Sequence, residues 1–377
     1  MLIGALLALG LLGESVGRKT QLPRVTILIL LGVVVGPVGF DVLPALGNAW
    51  FDYVATIALT LIGFLLGAKL DGETLAQYGL KSLWLALGIT LVTFGVVVAG
   101  LGLLGVALPI ALVLGGVSLA TDPLATTDVI EESGKDTHLT RLLTAIVALD
   151  DVWGLMLFGL LLSGLSLVIN GNYEPHFILE GMREMLGGIA LGAALGIPMA
   201  FLSGRIQEGE PTLVEALAMV FLCSGLALYL DVSYLLAAIT MGMVVGRLAK
   251  HHDIAFHEIR HIEWPVLIVF LILVGVSFKP EHLYDTWPLV LMYLVFRTLG
   301  RVLGGYFFAR GFNFSARQRA ELGFCLLPQA GVALAAALYA GQEFPQLSEV
   351  IFSVTVMATV LFEIIGPMAT RWVLANK

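Results

Sequence analysis

Charge is what this sequence has least of. Asp, Glu, Lys and Arg make up 13% of its 377 residues, against roughly 25% in a soluble domain. Hydrophobic residues make up 58%, and the mean hydropathy is +0.95. Such a chain cannot dress a soluble surface, so it reads as an integral membrane protein. A basic stripe is missing as well: the net charge is −8, which excludes nucleic acid as a partner. Cysteine is nearly absent. Cys223 and Cys325 both sit in apolar runs, which excludes a disulfide framework or a thiolate metal site. No Pro-rich or Ser-rich linker interrupts the chain, no soluble domain is appended, and no motif calls for a cofactor. The first apolar run lacks a basic lead and a small-x-small cleavage site, so it is expected to stay as a helix.

What is present is a succession of apolar spans. Thirteen are read, at about 2–17, 25–45, 51–68, 82–105, 108–130, 142–168, 185–204, 212–230, 233–248, 264–278, 287–309, 320–340 and 348–373. The expected fold is therefore an all-α membrane protein of about 13 transmembrane helices. Of the twenty Lys and Arg, sixteen fall on one side if the N-terminus faces outward. Only Arg183 and Lys279 fall on the other side, while Arg297 and Arg301 lie inside span eleven. The excess marks the cytoplasmic side, with the N-terminus outside and the C-terminus inside.

Against this background the intramembrane charges stand out. Asp150 and Asp151 are adjacent in span six, roughly 12 Å into a helix rising 1.5 Å per residue. That depth is toward the middle of a hydrocarbon core about 30 Å thick. A carboxylate there costs several kcal/mol, and function is the default reading. Span five contains Thr121-Asp122-Pro123, and span twelve contains Leu327-Pro328-Gln329-Ala330-Gly331. Proline in a helix interior removes a hydrogen bond and clashes with the preceding turn. Thr or Asp ahead of Pro is also a helix-start signature, so a second half-helix is expected to begin at Pro123. Spans five and twelve are seven apart, and an odd offset reverses membrane direction. Paired interrupted helices in oppositely directed halves point to inverted repeats, with two discontinuous helices crossing at a transport site.

The crossing leaves partial charges at exposed helix ends. Asp122 is placed to neutralise N-termini, and an intramembrane Arg to neutralise C-termini. Arg297 and Arg301 are four apart and share a helix face, so either could pair with Asp150. Thr121, Thr126 and Thr127 offer oxygens to a cation, although a membrane Thr commonly bonds its own backbone. Asp128, nearer the cytoplasmic end, reads as a solvated or entrance residue. Gln329 either contacts the site or satisfies backbone freed by the second break.

These residues together carry a resemblance. Leu22-Pro23-Arg24-Val25 with Gly36-Pro37, Thr121-Asp122-Pro123, Asp150-Asp151 and Arg301-Val302-Leu303-Gly304 resemble the monovalent cation/proton antiporter superfamily over nearly the whole chain. The resemblance implies a homodimer in a membrane, expected to be the prokaryotic inner membrane. It implies a scaffold (about 1–68 and 212–278), a moving core (about 82–168 and 287–373) and a linker helix (about 185–204). It implies Na⁺ or Li⁺ exchanged for protons, with K⁺/H⁺ exchange as the alternative. In the Asp-Asp branch the second Asp takes the cation and the first pairs with a Lys. Here the Lys segment aligns with Arg301, which puts the proton-to-cation ratio in question. No nucleotide-binding domain follows the last span, which disfavours a ligand-gated potassium efflux system.

A rival class rests on His257-Glu258-Ile259-Arg260-His261, the H-E-x-x-H zinc-protease pattern of two His ligands and a Glu base. It is read as a cytoplasmic loop without an evident third ligand, where a pH-sensing His cluster over 251–261 is a second option. An antiporter and no enzyme is therefore the expectation, with Asp150, Asp151, Thr121 and Asp122 as the ion and proton groups. A channel or symporter would differ in lacking obligatory counter-movement of protons.

Overall fold

In a membrane every backbone polar group must find its partner inside the chain, which leaves helices as the economical solution for spans this apolar. The computed structural model describes residues 2–20, 23–41, 48–68, 72–135, 137–169, 175–203, 212–249, 252–278 and 283–375. No strand occurs among the described residues. The helices are α1 (Leu2–Thr20), α2 (Arg24–Val35), α3 (Asn48–Ala68), α4 (Gly72–Leu103), α5 (Leu108–Val117), α6 (Pro123–Ser133), α7 (His138–Ile169) and α8 (Pro175–Ser203). They continue with α9 (Thr212–Tyr229), α10 (Tyr234–Leu248), α11 (His252–Val276), α12 (Leu283–Phe308), α13 (Ala316–Phe324), α14 (Gly331–Glu343) and α15 (Ser348–Ala375).

Spans five and twelve are each two helices. α5 ends at Val117 and α6 starts at Pro123, while α13 ends at Phe324 and α14 starts at Gly331. The remaining spans each correspond to one helix. Among the described residues, five helices are long and apolar enough to cross a membrane by length and composition alone.

Three helices begin well before their apolar runs. α4 begins at Gly72 with Gly79 held at φ 75°, α8 begins at Pro175, and α11 begins at His252 and passes through Pro265. The apolar run marks only the stretch that lipid and core require. Local hydrogen bonds carry a helix on through polar turns. The His257–His261 segment is thus helical, which corrects the loop expected from its charge.

The chain divides into two compact units. The first comprises residues 1–52, 78–154 and 268–377, and holds both interrupted helices. Within it the order is the same twice: a long helix, a broken helix, a long helix (α4, α5/α6, α7 and α12, α13/α14, α15). The two leading helices meet through small residues. A Cβ at Gly300 would lie 2.7 Å from Thr93 Cα, and one at Gly304 would lie 2.8 Å from Ile89 Cα. Close backbone approach of this kind is how membrane helices gain packing contact where lipid offers no hydrophobic drive. The second unit comprises residues 53–77 and 155–267. There α8 lies along α10, with Gly192 against the backbone of Ala237.

Candidate functional site

The two breaks meet. The Asp122 N–H donates to Pro328 O at 3.0 Å, and the Thr126 hydroxyl donates to Cys325 O at 3.3 Å. Each break therefore satisfies part of the backbone that the other frees. Carbonyls left at the end of α5 and in the second break need donors, and two arginines supply them. Arg297 Nε donates to Ser118 O at 3.1 Å, Nη2 to Ala120 O at 2.8 Å and Nη1 to Leu327 O at 2.7 Å. Its guanidinium also stacks over Phe362, 4.5 Å from the ring centroid. Arg301 Nη2 donates to Leu119 O at 2.6 Å and Ser118 O at 3.2 Å. A guanidinium is always charged and offers five donors in a rigid fork, which suits several fixed carbonyls at once. It also opposes the partial negative charge at a helix C-terminus.

Arg301 has a second duty. Its Nη1 meets Asp150 Oδ2 at 2.5 Å, with both side chains 0% exposed. The other carboxylate oxygen, Oδ1, lies 2.7 Å from the Thr90 hydroxyl, which is also 2.8 Å from Ala86 O. Both oxygens of Asp150 are thus engaged, and Arg301, not Arg297, is the residue against it. α7 places Asp151 next in the chain, about 100° around the helix from Asp150. Its side chain lies outside the described residues. Thr121 and Asp122 are buried in the first break, Thr127 is half-buried and Asp128 is exposed. The Gln329 amide nitrogen lies 3.1 Å from the Tyr293 hydroxyl, and both residues are buried. Its side-chain partner is therefore a tyrosine on α12 rather than freed backbone.

Three participants were not singled out from the sequence: Thr90, Tyr293 and Glu363. Glu363 had a signal. It is a lone carboxylate in the apolar stretch Phe362-Glu363-Ile364-Ile365, the same cue that drew attention to Asp150. It is 1% exposed, and its carboxyl hydrogen-bonds the side chain of Asp122 and the backbone of Gln329. Thr90 and Tyr293 carried no such signal, because a hydroxyl inside an apolar helix is unremarkable by itself.

The rival histidines belong to the second unit. His257 and His261 are one turn apart on α11, exposed, with Nε2 atoms 2.9 Å from each other. Among the described residues no group of three or more His, Cys, Asp and Glu could hold a metal ion. We expect His257→Ala and His261→Ala to retain maximal cation-driven proton flux and at most to move its pH midpoint. Zinc in a one-to-one ratio with purified protein, with flux lost on its removal, would contradict this.

The comparisons with known proteins agree with this geometry. The family model for the sodium/hydrogen exchanger transmembrane region matches residues 4–376. The ammonium/H⁺ antiporter subunit AmhT of Alkalihalophilus pseudofirmus is 22% identical over 99% of this chain and 93% of its own length. The Na⁺/H⁺ antiporter of Enterococcus hirae is 22% identical over 96% of this chain and 94% of its own. Among solved structures, the sodium proton antiporter MjNhaP1 of Methanocaldococcus jannaschii at pH 8 superposes with a TM-score of 0.80. It does so at 19% identity, over 99% of this chain and 97% of that one. With two interrupted helices crossing beside a buried aspartate–arginine pair, and with the family model spanning nearly every residue, the chain belongs to the sodium/hydrogen exchanger family of transmembrane antiporters.

Proposed function

We propose that this chain exchanges Na⁺ or Li⁺ for protons by alternating access, with Asp151 as the carboxylate the two ions share. The observation that carries the reading is the Arg301–Asp150 pair at 2.5 Å beside the crossing breaks. It commits the first aspartate of the pair to an arginine and leaves the second for cargo. A proton and a monovalent cation each neutralise one carboxylate, so they exclude one another, and exchange needs only that the site open to one side at a time. Thr121 and Asp122, with Thr126 and Gln329, contribute oxygens or polarity at the break. The protein is a homodimer in the prokaryotic inner membrane with its C-terminus in the cytoplasm. Residues 1–68 and 212–278 form its scaffold, 82–168 and 287–373 its moving core, and 185–204 the helix between them. Proton flux in liposomes under imposed Na⁺, Li⁺, K⁺ or NH₄⁺ gradients tests the reading. Na⁺ and Li⁺ should drive it, K⁺ is the alternative, and flux with none of the four refutes exchange.

The same pairing sets the expected ratio. Arg301 stays charged throughout a cycle, because guanidinium does not deprotonate at accessible pH. Asp150 has its oxygens on Arg301 and Thr90, so one carboxylate carries cargo. Exchange at pH 7 should then move one proton per cation and ignore membrane voltage. A reversal potential corresponding to two protons per cation would refute this.

A further inference from the structure

Glu363 belongs to neither the Asp150–Arg301 pair nor the carbonyl cluster of Arg297. It projects from α15, whose Gly366, one turn on, packs against Pro328 of the second break. Its carboxyl bonds the side chain of Asp122, which is 7% exposed just before α6, and accepts from the Gln329 backbone N–H. Among the described residues, the charged groups facing it from the elements packed on α15 are Asp122 and, on α12, Arg297; Tyr293 faces Arg297 and Gln329. Arg297 gives hydrogen bonds to the carbonyls of Ser118, Ala120 and Leu327, so it meets Glu363 as a nearby charge. Two further atoms bear on the site. Glu363 Oε1 is buried without a hydrogen-bond partner, and so is Thr359 Oγ1, one turn earlier on the same face of α15.

The chemistry of a carboxyl–carboxyl hydrogen bond is restrictive. An ionised carboxylate only accepts, so two of them cannot bond each other; one must carry a proton and donate it. Two ionised carboxylates held in contact away from water repel strongly. Charge balance agrees. With one shared proton the pair carries a single negative charge opposite Arg297, as Asp150 does opposite Arg301. Asp151 is then left as the charge that cargo neutralises.

We propose that Asp122 and Glu363 form a binding site for one proton, separate from Asp150–Asp151, which latches α15 to the first break. With the proton in place, a Glu363–Asp122 hydrogen bond ties α15 to the residue that precedes α6. When the proton leaves, two carboxylates face each other across that junction and the tie becomes a repulsion. Glu363 Oε1 and Thr359 Oγ1, buried one turn apart on one face of α15, leave polar capacity at the site beyond the Asp122 contact. The effect on transport rests on the exchange reading above, whereas the proton site does not.

Infrared spectroscopy of the full chain in lipid tests the site without reference to transport. The wild type should show the C=O stretch of a protonated carboxyl at neutral pH, lost on alkaline titration. Glu363→Gln should remove that band, and so should Asp122→Asn, which covers the case in which the first variant fails to fold. A band unchanged in both variants overturns the site. Sodium-driven proton flux against pH then tests the latch. Above the pH at which the band disappears, wild-type flux should fall several-fold. Glu363→Gln, whose amide N–H donates to Asp122 at any pH, should keep its flux there. Superposable profiles, with the band removed, overturn the latch. If no cation drives flux in the wild type, the exchange reading fails while the band still decides the site.

Discussion

Asp151→Asn should reduce cation-driven proton flux to the leak of empty liposomes while leaving yield and thermal unfolding unchanged. The reason is the division of labour proposed above for the two adjacent carboxylates. Asp150 is held by Arg301 at 2.5 Å and by Thr90 at 2.7 Å, with no exposed surface. It is spoken for structurally. Asp151 follows it on α7, where an ionisable group is costly and a functional role is the default expectation. Asparagine keeps the size and much of the polarity of aspartate but can neither take up a proton nor neutralise a cation. Flux at the wild-type rate in this variant, measured with a Na⁺ or Li⁺ gradient, would remove Asp151 from the mechanism. An unfolded variant would show instead that Asp151 is structural.

Arg301→Ala should destabilise the protein by about 3–5 kcal/mol, the usual consequence of stripping one partner from a buried ion pair. No solvent is available to take over, since both side chains are 0% exposed. The carbonyl of Leu119 loses a donor at 2.6 Å in the same change. The diagnostic experiment is a second substitution. Asp150→Asn removes the stranded charge and should restore most of the lost melting temperature in the Arg301→Ala background. It should not rescue Arg297→Ala, because the deficit there lies in the carbonyls of Ser118, Ala120 and Leu327. Rescue of Arg297→Ala, with none of Arg301→Ala, would mean that the pairing is the other way round.

Much of the site was legible as a list of participants and little of it as a set of pairings. Asp150, Arg297 and Arg301 declare themselves because charge inside an apolar helix is expensive wherever it falls. Pro123 and Pro328 declare the breaks because a proline cannot complete the helical ladder. Nothing in the spacing of Arg297 and Arg301 says which of them reaches Asp150, since both project from one face of α12. Thr90 and Tyr293 are silent for a different reason: a hydroxyl can bond its own helix, so its presence marks nothing. Glu363 gives the same signal as Asp150, but as a single carboxylate it is less conspicuous than an adjacent pair.

Composition and spacing are enough to settle the class, the order of the spans and where two of them break. Each of those is fixed locally, by the apolar length a membrane demands and by the backbone hydrogen bond that proline lacks. Spacing also places the start of α6 at Pro123, where a missing N–H costs nothing. Composition misjudges the His257–His261 segment, because polar turns outside the apolar run look like loop until their local hydrogen bonds are counted. What meets at the crossing depends on how the helices pack. Arg301 finds Asp150 across 151 residues of chain, and Arg297 finds Ser118 across 179. Contacts that distant depend on how close α4 and α12 can approach through Gly300 and Gly304, and on which guanidinium that approach leaves level with α7. They are settled by packing to a fraction of an ångström, which no local pattern of residues encodes.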